Sequence, residues 1–118
     1  MKIRFKSNSL RYRLTRTDVA QLTTTGYIDD KVNFGDHSLI YSIKRIDHGQ
    51  LSATFKNNII TLFMPDSMTK ELLNSNRIGF ENNNGLLHLL VEKDFTCLDD
   101  TTEDQSDNYP NPLAEKKS

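Results

Sequence analysis

At 118 residues the chain has room for one domain with one core plus a tail, which excludes a multi-domain enzyme. Apolar residues make up 36% and the mean hydropathy is -0.61, so the core is economical and much of the chain lies on the surface or in irregular segments. Net charge is -1, from 15 basic and 16 acidic residues, which argues against a general nucleic-acid or membrane binder.

The balance conceals an asymmetry. Residues 1–16 carry Lys2, Arg4, Lys6, Arg11, Arg13 and Arg16 and no acid, whereas the stretch from Asp94 onward carries Asp94, Asp99, Asp100, Glu103, Asp104, Asp107 and Glu115 against Lys116 and Lys117. The chain is basic at the front and acidic at the back. No apolar run approaches the ~20 residues that cross a bilayer. The opening Met1-Lys2-Ile3-Arg4-Phe5-Lys6 alternates charge with hydrophobe, unlike a signal peptide. A cytoplasmic protein with no membrane partner is expected. A lone cysteine, Cys97, leaves no internal disulfide and no multi-cysteine metal site.

In chain order, Ile3 and Phe5 alternate with Lys2, Arg4 and Lys6, and Leu10, Tyr12 and Leu14 alternate with Arg11 and Arg13 across Ser7-Asn8-Ser9. Two strands of a hairpin are predicted. Thr15 with Asp18 three residues on is a capping box, Leu14 is placed to staple onto Val19, and Gly26 ends a short helix whose apolar stripe is Val19 and Leu22. Strands follow at 27–34 and 38–46. Leu51, Ala53 and Phe55 share a face with Ile60, Leu62 and Met64 if Asn57-Asn58 supplies a tight hairpin turn. A second helix begins at Pro65-Asp66-Ser67 with Met68, Leu72 and Leu73 on one side. Strands are predicted at 77–82 and 86–93, separated by Asn83-Asn84-Gly85. Because both parities of the last strand are apolar, it is expected to be central and covered on both faces.

These elements predict an α+β class: a mostly antiparallel sheet of short strands with two short helices on one side or end. The order strand-strand-helix-strand-strand recurs at a spacing of 51 residues, pairing Leu22 with Leu73, and suggests a duplicated unit. A single domain is expected over residues 1–98. Residues 99–118 form an acidic, proline-containing tail whose Tyr109-Pro110 packs back on the domain and whose end, after Leu113, is mobile. The opening Met1 to Thr15, the run Val91 to Leu98 and the stretch Glu103 to Pro112 resemble an uncharacterised family of short bacterial proteins, a domain of unknown function. The resemblance spans nearly the whole chain and implies a free-standing bacterial protein, with no activity, ligand or catalytic residue to carry over.

The candidate site is the first hairpin. With Ile3, Phe5, Leu10, Tyr12 and Leu14 inward, Lys2, Arg4, Lys6, Arg11 and Arg13 share the opposite face, and like charges so placed call for an anion. Three readings stand: the protein's own acids Asp99, Asp100, Glu103, Asp104 or Asp107 cross the hairpin; the cations are simply solvated; or the face binds an outside phosphate, acidic protein segment or RNA. With Tyr12 inward no stacking platform accompanies the cations, which disfavours nucleic acid.

The alternative is a small metal-dependent protein or enzyme using the tail carboxylates, although the tail lacks the glycine and terminal glutamate of an EF-hand loop. Cys97 near Lys93 lacks a companion base, since His37, His48 and His88 are scattered, and His88 reads as a packed core residue. No catalytic motif, metal site or cofactor is assigned, and the protein is not expected to be an enzyme. Homodimerisation through a strand edge is left open.

Overall fold

Strict alternation builds the first hairpin from β1 (Lys2–Lys6) and β2 (Ser9–Leu14), with Ile3 opposite Tyr12 and Phe5 opposite Leu10 on the inner face. The computed structural model describes residues 1–95 and 106–110. Helix α1 (Arg16–Thr25) starts at the Thr15–Asp18 capping box, both hydrogen bonds of which are present, and stops at Gly26 in the left-handed region at φ 79°. The chain continues through β3 (Tyr27–Asn33), β4 (Ser38–Ile46), β5 (Ser52–Lys56), β6 (Ile59–Pro65), α2 (Asp66–Asn74), β7 (Gly79–Asn84) and β8 (Leu87–Lys93). Asn57 and Asn58 both take positive φ, 52° and 64°, as the two-residue β5–β6 turn requires.

The class is α+β, but the strands form two sheets rather than one. Their orders are β1-β2-β8-β7 and β3-β4-β6-β5, and each combines two antiparallel outer pairs with a parallel central pair, β2·β8 and β4·β6. Leu10, Tyr12, Leu14, Leu89 and Val91 of the first sheet and Ile28, Ile43, Ile60, Leu62 and Met64 of the second join one apolar core. Burial of each such aliphatic side chain contributes about 1.5–3 kcal/mol. The helices touch each other, and Val19, Leu22 and Leu72 extend the core between them. Cations from the ends of β4 and β8 satisfy their last carbonyls: Arg45 donates to Thr23, and Lys93 Nζ donates to Ser75 O at 2.9 Å. Since β2 and β6 run from a hairpin turn into a helix and β8 and β4 run parallel to them, the four hairpin turns among the described residues lie at the end of the sheets away from the helices.

Several local expectations are corrected. On α2 the buried residues are Thr69 and Leu72, while Leu73 is 46% exposed. Strand β7 begins at Gly79, where an added Cβ would overlap the Val91 carbonyl oxygen, and it runs through Asn84, so the turn falls on Gly85-Leu86. Strand β8 is central in its sheet, but no second layer among the described residues covers its outer face. Its outward Leu90 is half-buried among neighbouring side chains, and Glu92 beside it pairs with arginines. His88 lies on this outer face, with Nδ1 at 2.9 Å from Asn83 Oδ1 and Nε2 at 3.3 Å from Glu81, and is not a core residue.

Residues 106–110 lie against the domain. The Tyr109 amide donates to Asp94 O at 2.8 Å, and its ring packs edge-on to Phe95, with Lys93 Nζ 4.9 Å from its centroid. Asp107 sits at the N-terminus of α1, accepting from Arg16 N at 3.2 Å through its carbonyl and from the Thr17 hydroxyl at 2.9 Å through its carboxylate. The Thr15 hydroxyl first, then that of Thr17, holds the Asp107 carboxyl below its ordinary range.

Candidate functional site

Pleating places Lys2, Arg4, Lys6, Arg11 and Arg13 on the outer face of the first sheet, and the antiparallel register sets Lys2 opposite Arg13 and Arg4 directly opposite Arg11. The parallel neighbour β8 supplies the counter-charge. Glu92, opposite Arg13, accepts from Arg11 Nε at 2.6 Å and Nη2 at 2.5 Å and lies 3.4 Å from Arg13 Nε. Lys2 Nζ lies 3.1 Å from the buried Asp94 carboxylate, just past β8. Arg4 and Lys6 have no ion pair among the described residues. Between them the surface dips into a cavity of about 200 Å³ lined by Arg4, Lys6, Ser9, Arg11 and Leu90.

Of the tail acids proposed to cross this face, Asp107 is at the α1 N-terminus instead, engaged with Thr17 and Arg16 N. Asp99, Asp100, Glu103 and Asp104, like Cys97, lie outside the described residues. Sequence reasoning missed Glu92 as the arginine partner because parallel pairing of two strands at opposite ends of the chain leaves no local mark. Among the described residues no group of three or more His, Cys, Asp or Glu is placed to hold a metal. No helix among the described residues is long and apolar enough to cross a membrane.

A second concavity, of about 400 Å³, opens between the two sheets at the turn end. Phe5, Leu10, Leu39, Ala53, Thr54, Phe55, Ile60 and Leu87 line it. Alternation assigns most of these residues to the core, and nothing in the pattern says that the sheets part here; the signal is the exposure of Phe5 (55%) and Phe55 (67%), visible only once folded. The far edge of this opening is tied by side chains. Asn82 Nδ2 donates to Leu51 O at 2.9 Å and Asn84 Nδ2 to Ala53 O at 3.3 Å, joining β7 to β5 across the sheets.

This is an α+β domain with a cationic outer face and an apolar opening between sheets. The chain belongs to a family of unknown function, DUF7009, whose model matches residues 1–113. No curated protein and no solved structure matches it.

Proposed function

We propose that this protein is a small cytoplasmic binding module whose basic N-terminal hairpin engages an anionic group, a phosphate in the Arg4, Lys6, Ser9 and Arg11 cavity. The observation that carries this reading is the ion-pair distribution. Glu92 serves Arg11 and Arg13, whereas Arg4 and Lys6 border the cavity with no carboxylate among the described residues. Three cationic side chains, Arg4, Lys6 and Arg11, and the Ser9 hydroxyl around about 200 Å³ suit a compact oxyanion better than a polymer. Titration with inorganic phosphate and pyrophosphate at low salt tests it. Binding that weakens about tenfold in Arg4→Thr and falls steeply with added salt is expected; equal binding by wild type and Arg4→Thr overturns the site.

We further infer that the fold is a duplicated strand-strand-helix-strand-strand unit with its strands exchanged between sheets. Support comes from register, at a spacing of 50 rather than 51 through the hairpin and helix. The pairs Phe5–Leu10 and Phe55–Ile60 correspond, as do buried Leu22 and Leu72. The His88 amide donates to Asn8 O and the Ile40 amide to Asn58 O, both at 3.0 Å. On this reading the outward positions of Arg4, Arg11 and Arg13 correspond to Thr54, Thr61 and Phe63. The fold itself therefore has no need of arginines there, which favours a binding role for them.

A further inference from the structure

The structure assigns the 400 Å³ opening between the sheets as a binding site for an amphiphile with a linear acyl chain and an anionic head, such as a fatty acid. Its volume falls in the range of small-molecule sites, ~300–1,000 Å³. Its walls are apolar side chains, those of Phe5, Leu10, Leu39, Phe55, Ile60 and Leu87, while Thr54, also in the lining, sits at an outward position of β5. A lining with so few hydrogen-bonding groups cannot orient a sugar, nucleotide or peptide, whose polar groups would be stripped of water without replacement. A chain of methylenes has no such groups to lose.

The mouth supplies the selectivity for charge. The four hairpin turns lie at this end, and Phe5 and Phe55 are each followed by an exposed lysine, Lys6 and Lys56, the last residues of β1 and β5. Neither lysine has an ion pair among the described residues. The carboxylate carried by the turns is Asp36, and it already faces His37 Nδ1 at 2.9 Å. Both side chains leave from outward positions, Lys6 beside the phosphate cavity, and the flexible four-carbon stem lets each ammonium bend back over the rim when an acyl chain lies below. Phe34, Val32 and the 94%-exposed Leu86, near the same end, add apolar surface around the opening.

The test is calorimetric titration of the full chain with decanoate, dodecanoate and tetradecanoate, each below its micelle concentration, beside dodecanol and dodecyltrimethylammonium. Each added methylene is expected to tighten binding about fourfold until the cavity is filled. Carboxylate is expected to outbind ammonium, and Lys6→Gln with Lys56→Gln to remove that preference while leaving dodecanol unchanged. Ala53→Trp, which fills the opening, should weaken all chains by about tenfold or more. Phe55→Ser, at a side chain already two-thirds exposed, repeats the test should the larger residue disturb the fold. Affinity independent of chain length, equal affinity for ammonium, or full binding in both cavity variants overturns the assignment. So does a concentration-dependent dimer that Phe55→Ser abolishes, since the mouth would then receive a second copy. The outcome is separable from phosphate binding at the outer face: Arg4→Thr affects phosphate alone, and Ala53→Trp affects the acyl chain alone.

Discussion

Arg4 and Arg11 face each other directly across the β1–β2 hairpin, yet Glu92 reaches only Arg11 and Arg13. Directly opposed like charges cost up to about 1 kcal/mol. Arg4→Thr, the residue found at the matching place in the second hairpin, should therefore raise the melting temperature in low-salt, anion-free buffer by several degrees. The gain should shrink at high salt, where wild-type repulsion is already screened. A thermal scan at two ionic strengths checks both statements.

The Tyr12 hydroxyl is fully buried in the core with no hydrogen-bond partner among the described residues, and burial pushes its pKa far above the ordinary value. An unsatisfied buried donor costs about 1–3 kcal/mol. Tyr12→Phe keeps the ring and removes the burden, so denaturant unfolding should show a gain of about 1 kcal/mol with an unchanged m-value. Tyr12→Ala, by contrast, leaves a cavity and should cost about 3–5 kcal/mol.

Acid should loosen the 106–110 segment. The Asp107 carboxyl is held below its ordinary value of 3.8, so its docking contribution is complete above that pH and is lost as pH falls through the lower folded value. The Tyr109 ring resonances, followed by NMR from pH 6 downward, should move toward free-tyrosine positions only below about pH 4. Asp107→Ala should show the displaced position at neutral pH, while core methyl resonances stay in place.

Asn82 and Asn84 tie the two sheets together where no strand pairing does. Asn82→Ala leaves the carbonyl of fully buried Leu51 without this donor and should lower stability by about 1–2 kcal/mol. Asn84→Ala releases Ala53, in the wall of the apolar opening, and should act less on stability than on acyl-chain affinity. Unfolding curves and dodecanoate titration of the two variants separate these effects.

Local chemistry announced local structure. The Thr15–Asp18 capping box, Gly26 as helix stop and Asn57-Asn58 as a tight turn each rest on interactions within a few residues, and each forms as the residues demand. What the chain did not announce was long-range. Leu90 and Leu86 look like a second buried face of the last strand, but one lies among arginine side chains and the other caps a turn in solvent. Leu73, one residue past Leu72, is turned outward because a short helix buries a narrow stripe. The basic face was visible from alternation; its counter-ion Glu92 was not, because only the β2·β8 crossing brings it there.

Strand β8 is the last strand among the described residues, yet it lies inside its sheet, between β2 and β7. A ribosome that has released everything up to Asn84 has therefore made a first sheet with a missing middle: the inner edges of β2 and β7 both await the same partner. Until residue 93 emerges, neither edge is satisfied, and Ser9 must wait for His88 before the parallel pair can zip. A nascent chain stalled short of Leu87 carries two open strand edges beside an unfinished core. Premature stops in this reading frame should consequently yield aggregates or protease substrates, not a smaller working protein.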